Sequence, residues 1–397
     1  MSNKRFTLAW LGEKEWLAML LWFGLSMVVG IKEFAVHNYN NYTIFKHVYL
    51  HTINGQTIYG PYPDVYFDVN NYGVLFSMLI APFALMPDWL GSILWVLTNA
   101  AVLMLAIRTL PLGRIQQNLI MIFASHELMA ASSYFQFNPI VAACIIFGYT
   151  LMRKEKDFWA ACFIMFAAFT KLYGIVGLAF FFFSRHKLKL IGSLILWSAI
   201  WLVLPMAISS PEFVLRSYRE WYEALVLKND KNAQIDHGVV LQDISAMGFI
   251  KRTFRLPYLP NIVVMGPALV LFAAQYIWLK YCHDVRYQLL ILCSTLLFTV
   301  LYSSSSESPT YIIAFPAACI WFLLQPRSTA ANIFFVYLLI GTSFSHSDLV
   351  TAWVKRNLVV PYAAKAMPSL ILWLLIVYQV LSRRFLRWPE PGTQFSH

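Results

Sequence analysis

Lys171 is the side chain whose setting most invites a chemical reading. It interrupts AACFIMFAAFTKLYGIVGLAFFFF, between two apolar stretches. Charges in such runs are costly and tend to be functional. An ammonium there can pair with a phosphate, or it can snorkel to the membrane interface. Asp64 and Asp68 offer carboxylates able to take a proton from an acceptor hydroxyl. On a helix, residues four apart would share a face, but Pro61 and Pro63 argue that Asp64 lies in irregular chain. Solvated loop carboxylates are the plainer reading. Glu307 in SSSSESP sets a carboxylate among hydroxyls, although helix capping at Ser308-Pro309 explains the same residues. Gln136 and Asn138 are amides suited to sugar hydroxyls or to turns and caps. His126 and Glu127 read as a buried pair or as a helix exit.

Other chemistries lack their signatures. No P-loop, HExxH or GxSxG pattern occurs. The five cysteines show no CxxC or Cys/His spacing and read as small buried hydrophobes. No metal and no cofactor is expected. Asn41-Tyr42-Thr43 matches a glycosylation sequon, a weak three-residue pattern.

The elements that must position these residues belong in lipid. Hydrophobic residues make up 59% of the 397 and charged ones only 12%, against about 25% charged in a soluble domain. Runs fit to cross a bilayer lie near 16–33, 89–107, 116–131, 138–152, 157–170, 172–184, 187–207, 261–281, 287–302, 309–325, 329–345 and 365–382. The expectation is an all-α, polytopic bundle of about twelve spans. It forms one membrane domain over residues 1–397, with a long first outer loop at 34–72 and a second at 208–260. The second carries Glu212, Glu220, Glu223, Asp230, Asp236 and Asp243. Long connections in compact proteins are usually functional. The stretch 73–87, broken by Pro82, is expected to be re-entrant or to lie in the membrane.

The formal charge of +11 sits mainly in short basic segments such as Arg153-Lys154-Glu155-Lys156 and Arg383-Arg384. The positive-inside rule accounts for them without nucleic acid. It sets both termini in the cytoplasm. Lys4, Arg5 and Lys14 precede the first apolar run, which has no cleavage site after it and reads as a retained span. No internal repeat of the transporter kind is visible.

Several motifs in order carry a resemblance. Asn41-Tyr-Thr-Ile-Phe, Gly55-Gln-Thr-Ile-Tyr59, Phe67-Asp-Val-Asn-Asn-Tyr72 and Ala81-Pro-Phe-Ala-Leu-Met-Pro87 come first. Trp95 with Asn99, Gln136-Phe-Asn138, Lys171-Leu-Tyr173 and Ser308-Pro309 with Tyr311 follow. Together they resemble glycosyltransferase family 87, the polyprenyl-phosphate-dependent alpha-mannosyltransferase-like group. The resemblance implies a GT-C fold with an external active site roofed by the first outer loop. It also implies metal-independent inverting transfer from a lipid-linked sugar, commonly polyprenyl-phospho-mannose. The acceptor would be a lipid or glycan at the outer face of a bacterial plasma (inner) membrane. Lys171 would neutralise the leaving phosphate, and aromatic residues including Tyr59 and Tyr72 would stack on sugar rings.

One position departs from the family. Its acidic residue early in the first outer loop falls on Asn41, with Phe45 where Tyr is common. An amide cannot take a proton as a carboxylate does. Asp64, Asp68 or Glu307 would then supply the base, or the reaction differs, or the chain is an inactive relative. A transporter or flippase of a lipid-linked or polar solute is the competing reading.

Overall fold

The computed structural model describes residues 8–233, 241–347 and 349–391. Lys4, Arg5 and Asp236 lie outside these described residues. Every regular element among them is helical. Four helices are long and apolar enough to cross a membrane: Glu15–Ala35, Asp88–Thr109, Lys187–Ala207 and Asn261–Tyr281. This is the composition of a multi-pass membrane protein.

All twelve expected apolar runs fall on helices, but among the described residues only these four are both long and apolar enough to cross a membrane. Seven others are apolar helices of 10–17 residues. At about 1.5 Å per residue such helices are shorter than the ~30 Å hydrocarbon core. Arg114–Ser133 has the length, but it carries buried Gln116, Gln117, Asn118 and Glu127.

The two expected outer loops contain helices. Within 34–72 the chain forms Asn40–Ile53. Tyr42, Phe45, Val48 and Thr52 are buried along it at helical spacing, a stripe masked in the sequence by its Asn and His neighbours. Within 208–260 lie the 23-residue helix Pro211–Ala233 and the shorter Ala246–Thr253. The stretch 73–87 yields only the nine-residue helix Phe76–Ala84, which holds Pro82.

The chain divides into two compact units, each discontinuous in sequence. Unit I comprises Met1–Leu25, Met104–Ala130 and Asn232–His397. At its centre is Val285–Leu301, buried along nearly its whole length. Trp373 Nε1 and Gln275 Nε2 both donate to Ser294 Oγ at 3.0 Å. These bonds satisfy polar groups that an apolar interior would otherwise penalise.

Unit II comprises Ser26–Leu103 and Ala131–Lys231. Its core is a cluster of rings. Phe45 lies 4.9 Å from Phe76 and 5.2 Å from Tyr72, and Phe76 lies 5.3 Å from Phe137. Trp95 stacks on Phe137 and donates through Nε1 to the Phe135 carbonyl at 2.8 Å. The edge-to-face geometries are those that ring quadrupoles favour.

The stretch after Asp68 meets the end of Asp157–Thr170 at Gly73. Gly73 N–H donates to Thr170 O at 3.0 Å. A Cβ at Gly73 would overlap the Phe169 carbonyl oxygen. Both partners are backbone, so neither can step aside. Gly73→Ala is expected to cost about 1–3 kcal/mol of stability and to weaken any function that needs Tyr72 beside Lys171. A melting temperature equal to wild type would contradict this.

Candidate active site

Unit II gathers Lys171, Asn138, Gln136, Tyr72 and Tyr59 into one network. Lys171 ends the Asp157–Thr170 helix in extended backbone, with φ −144° and ψ 116°. Its Nζ donates to Asn138 Oδ1 at 2.7 Å. It also lies 5.3 Å from the Tyr72 ring centroid and 4.7 Å from that of Tyr173, within cation–π range. Asn138 Nδ2 donates to Gln136 Oε1 at 3.3 Å, and Tyr72 O–H points to the same oxygen at 3.5 Å. The two amides thus serve the ammonium and each other.

Local structure explains the convergence. The Arg114–Ser133 helix ends with Phe135 in the left-handed region, at φ 50°. Gln136 N–H then returns to Ala131 O at 3.0 Å, the closure of a Schellman turn. Asn138 opens the next helix with Pro139 behind it, where a fixed φ favours the first turn. Tyr72 is fixed from its own chain, because Tyr59 O–H and Asn70 Nδ2 donate to its carbonyl at 3.0 and 2.9 Å. Desolvation, with Tyr218 and Glu220 nearby, holds the Tyr59 hydroxyl well above its usual range, so it remains a donor.

Asn41 proves to be a tie. Its Nδ2 donates to Tyr134 O at 2.9 Å. A carbonyl needs a donor there, and a carboxylate would set two acceptors face to face. Asn40 makes a paired contact with Phe67, donating to its oxygen at 2.6 Å and accepting from its N–H at 3.0 Å.

Asp68 follows that anchored residue. It is exposed and left-handed, at φ 81°, and its Oδ1 accepts from Val69 N–H at 2.8 Å. A non-glycine residue held in that region carries strain of the kind found at functional turns. Asp64 is exposed in the preceding turn, so the two carboxylates share no helix face. Glu307 belongs to unit I.

Sequence reasoning overlooked two features. The first is Lys365, a lone lysine opening an apolar helix. That is the same signal that marks Lys171. Glu127 pairs with Lys365 at 2.9 Å, while His126 Nδ1 meets Ser343 Oγ at 3.1 Å. Of the two sequence readings, a direct His126–Glu127 pair is not what forms: each residue has its own partner. Adjacent helix residues point about 100° apart. The second is a set of rings in the first long segment, where His51 lies 4.1 Å from Tyr62 and 5.5 Å from His47.

His51 is buried and its Nδ1 has no partner among the described residues. Burial, and secondarily His47, lowers its pKa from 6.5 to about 4. Tyr62, Tyr66 and Glu220 are the other titratable groups around this set. The folded pKa is below the unfolded one, so between pH 4 and 6.5 the unfolded chain binds more protons. Stability contributed by neutral His51 is complete above pH 6.5 and is lost as pH falls towards 4. The melting temperature of the purified chain is expected to drop over that window, and His51→Phe to flatten the drop. An unchanged pH profile in His51→Phe would refute this.

Residues 70–304, more than half of the chain, match glycosyltransferase family 87. The matched segment takes in Tyr72, Gln136, Asn138 and Lys171 and ends before Glu307. No curated protein and no solved structure matches the chain. With the helical composition and the network around Lys171, the match over residues 70–304 places the chain in glycosyltransferase family 87, and the protein is a glycosyltransferase.

Proposed function

We propose that the protein moves a hexose, mannose in the simplest case, from a polyprenyl-phosphate-linked donor to a lipid or glycan acceptor at the outer face of the membrane. The observation that carries this reading is the Lys171 ammonium. It is held by a neutral amide and two rings at the end of an apolar helix. A lipid-linked donor keeps its tail in the bilayer and its phosphate at the interface, where such a group can meet it. The proposed architecture is GT-C-like. About twelve helical passes, some short or tilted, would place residues 34–72 and 208–260 outside.

The acceptor oxygen attacks the anomeric carbon while its proton passes to a carboxylate. The bond from that carbon to the phosphate oxygen breaks, and the phosphate leaves with an added negative charge. Lys171 stabilises that charge as it develops. Asp68 is the proposed base. It lies four residues before Tyr72, in a turn whose preceding residue Asn40 anchors. Asp64 is the alternative within the same segment. Asn41 has no part in proton transfer, because its amide is spent on Tyr134. Tyr59 supports Tyr72, and the Tyr72 ring faces the site.

Lys171→Met is expected to lower transfer from polyprenyl-phospho-mannose by about 10²–10³-fold, with Lys171→Arg keeping part of the rate. Asp68→Asn should cost about 10²–10⁴-fold and Asp64→Asn much less. Radiolabelled sugar transfer in proteoliposomes measures each. Full activity in Lys171→Met removes the phosphate role, and equal losses at Asp64 and Asp68 remove the choice of base.

A further inference from the structure

Unit I holds a buried ion pair that the transfer scheme above does not use. Lys365 Nζ donates to the two Glu127 oxygens at 2.9 and 3.1 Å. The two side chains are 1% and 0% exposed. The same ammonium donates to Ser308 O at 3.1 Å and to Ser308 Oγ at 3.0 Å, and it lies 4.9 Å from the Tyr311 ring centroid. Tyr311 O–H donates to Ile244 O at 3.0 Å, and Ile244 N–H to Ser306 O at 2.7 Å. Glu307 N–H donates to Thr310 Oγ1 at 3.1 Å. The corner formed by Glu307 and Ser308 is therefore tied from both sides.

An ammonium that donates to Oγ fills one hydroxyl lone pair and leaves the O–H proton turned away. Among the described residues, no acceptor takes that proton from Ser308. Ser308 is half-buried rather than enclosed. Donation from a charged group also makes the hydroxyl a stronger donor in its turn. Half-buried Glu307 beside it brings a carboxylate, which only accepts. A strong donor next to an acceptor suits adjacent sugar hydroxyls, one oxygen accepting from Ser308 and one O–H donating to Glu307. The same carboxylate repels a phosphate at that place.

We propose that the Glu307–Ser308 corner of unit I is a binding subsite for sugar hydroxyls, with Lys365 and Glu127 as positioning residues that act through Ser308. The proposal rests on the sugar-transfer reading but not on Lys171, whose role is read separately from donor transfer.

Binding of radiolabelled octyl α-mannoside to the full chain in nanodiscs tests it. Ser308→Ala is expected to bind roughly tenfold more weakly, the loss of one charge-assisted hydrogen bond, and Ser308→Thr to keep the affinity. Glu127→Leu with Lys365→Met replaces the pair by apolar side chains, an exchange that is often neutral for stability. That double variant should melt near wild type yet bind as weakly as Ser308→Ala. Where it does not fold, the Ala and Thr variants at Ser308 decide. The proposal is overturned by a wild-type chain that takes up no octyl mannoside. Wild-type affinity in Ser308→Ala or in the folded double variant also overturns it. So does inorganic phosphate that displaces the mannoside from wild type but not from Ser308→Ala, which would make the corner an anion site.

Discussion

The half-buried ammonium at the end of an apolar helix is solvated in part by protein, and much of unit II is arranged around that contact at Lys171. Asn138 supplies the close acceptor, and Tyr72 and Tyr173 supply ring faces. Each of these needs support of its own. Asn138 depends on the turn that Phe135 closes in a left-handed conformation, and the Trp95 indole holds that turn at the Phe135 carbonyl. Tyr72 depends on Tyr59, on Asn70 and on the close passage of Gly73 past Phe169 and Thr170. The aromatic core beneath is where these supports meet: Phe45, Phe76, Trp95 and Phe137 pack against Tyr72 and the Asn138 turn alike.

Lys171, Gln136 and Asn138 were legible in the sequence because each is anomalous where it stands, whereas Tyr59 and Tyr72 were marked only by the family resemblance. A lysine between apolar runs and amides at a helix junction stand out against their neighbours. The helix Asn40–Ile53 was hidden for the opposite reason. Its buried stripe alternates with Asn, Lys and His, so no apolar run forms and the segment looks like loop. The Glu127–Lys365 pair spans 238 positions, and no local pattern encodes a partner at that distance. Half of it was still visible, since Lys365 opens an apolar helix. Span number was the least legible feature. Apolar composition reports burial in lipid or in protein equally well, and only length separates the two.

Asn41 shows how a departure from a family pattern acquires a physical meaning. Read alone, an amide in place of the family's acid suggests a lost base. In the fold, the position faces the Tyr134 carbonyl, and what that carbonyl requires is a donor. Asn41 and Asn40 together join one helix end to two turns, one leading to Gln136 and Asn138 and the other to Asp68. At this position the amide therefore serves as a tie between the helix and the turn that follows Tyr134.

The two lysines define two different electrostatic problems. Lys365 is matched by Glu127, so that group as a whole is neutral, and breaking one side would leave a buried charge at a cost of about 3–5 kcal/mol. Its value lies in orientation, since it fixes where the Ser308 hydroxyl points. Around Lys171, the Asn138 amide lends a dipole and the Tyr72 and Tyr173 rings their quadrupoles. A phosphate leaving group gains from the second arrangement and nothing from the first. A neutral sugar gains from an oriented donor.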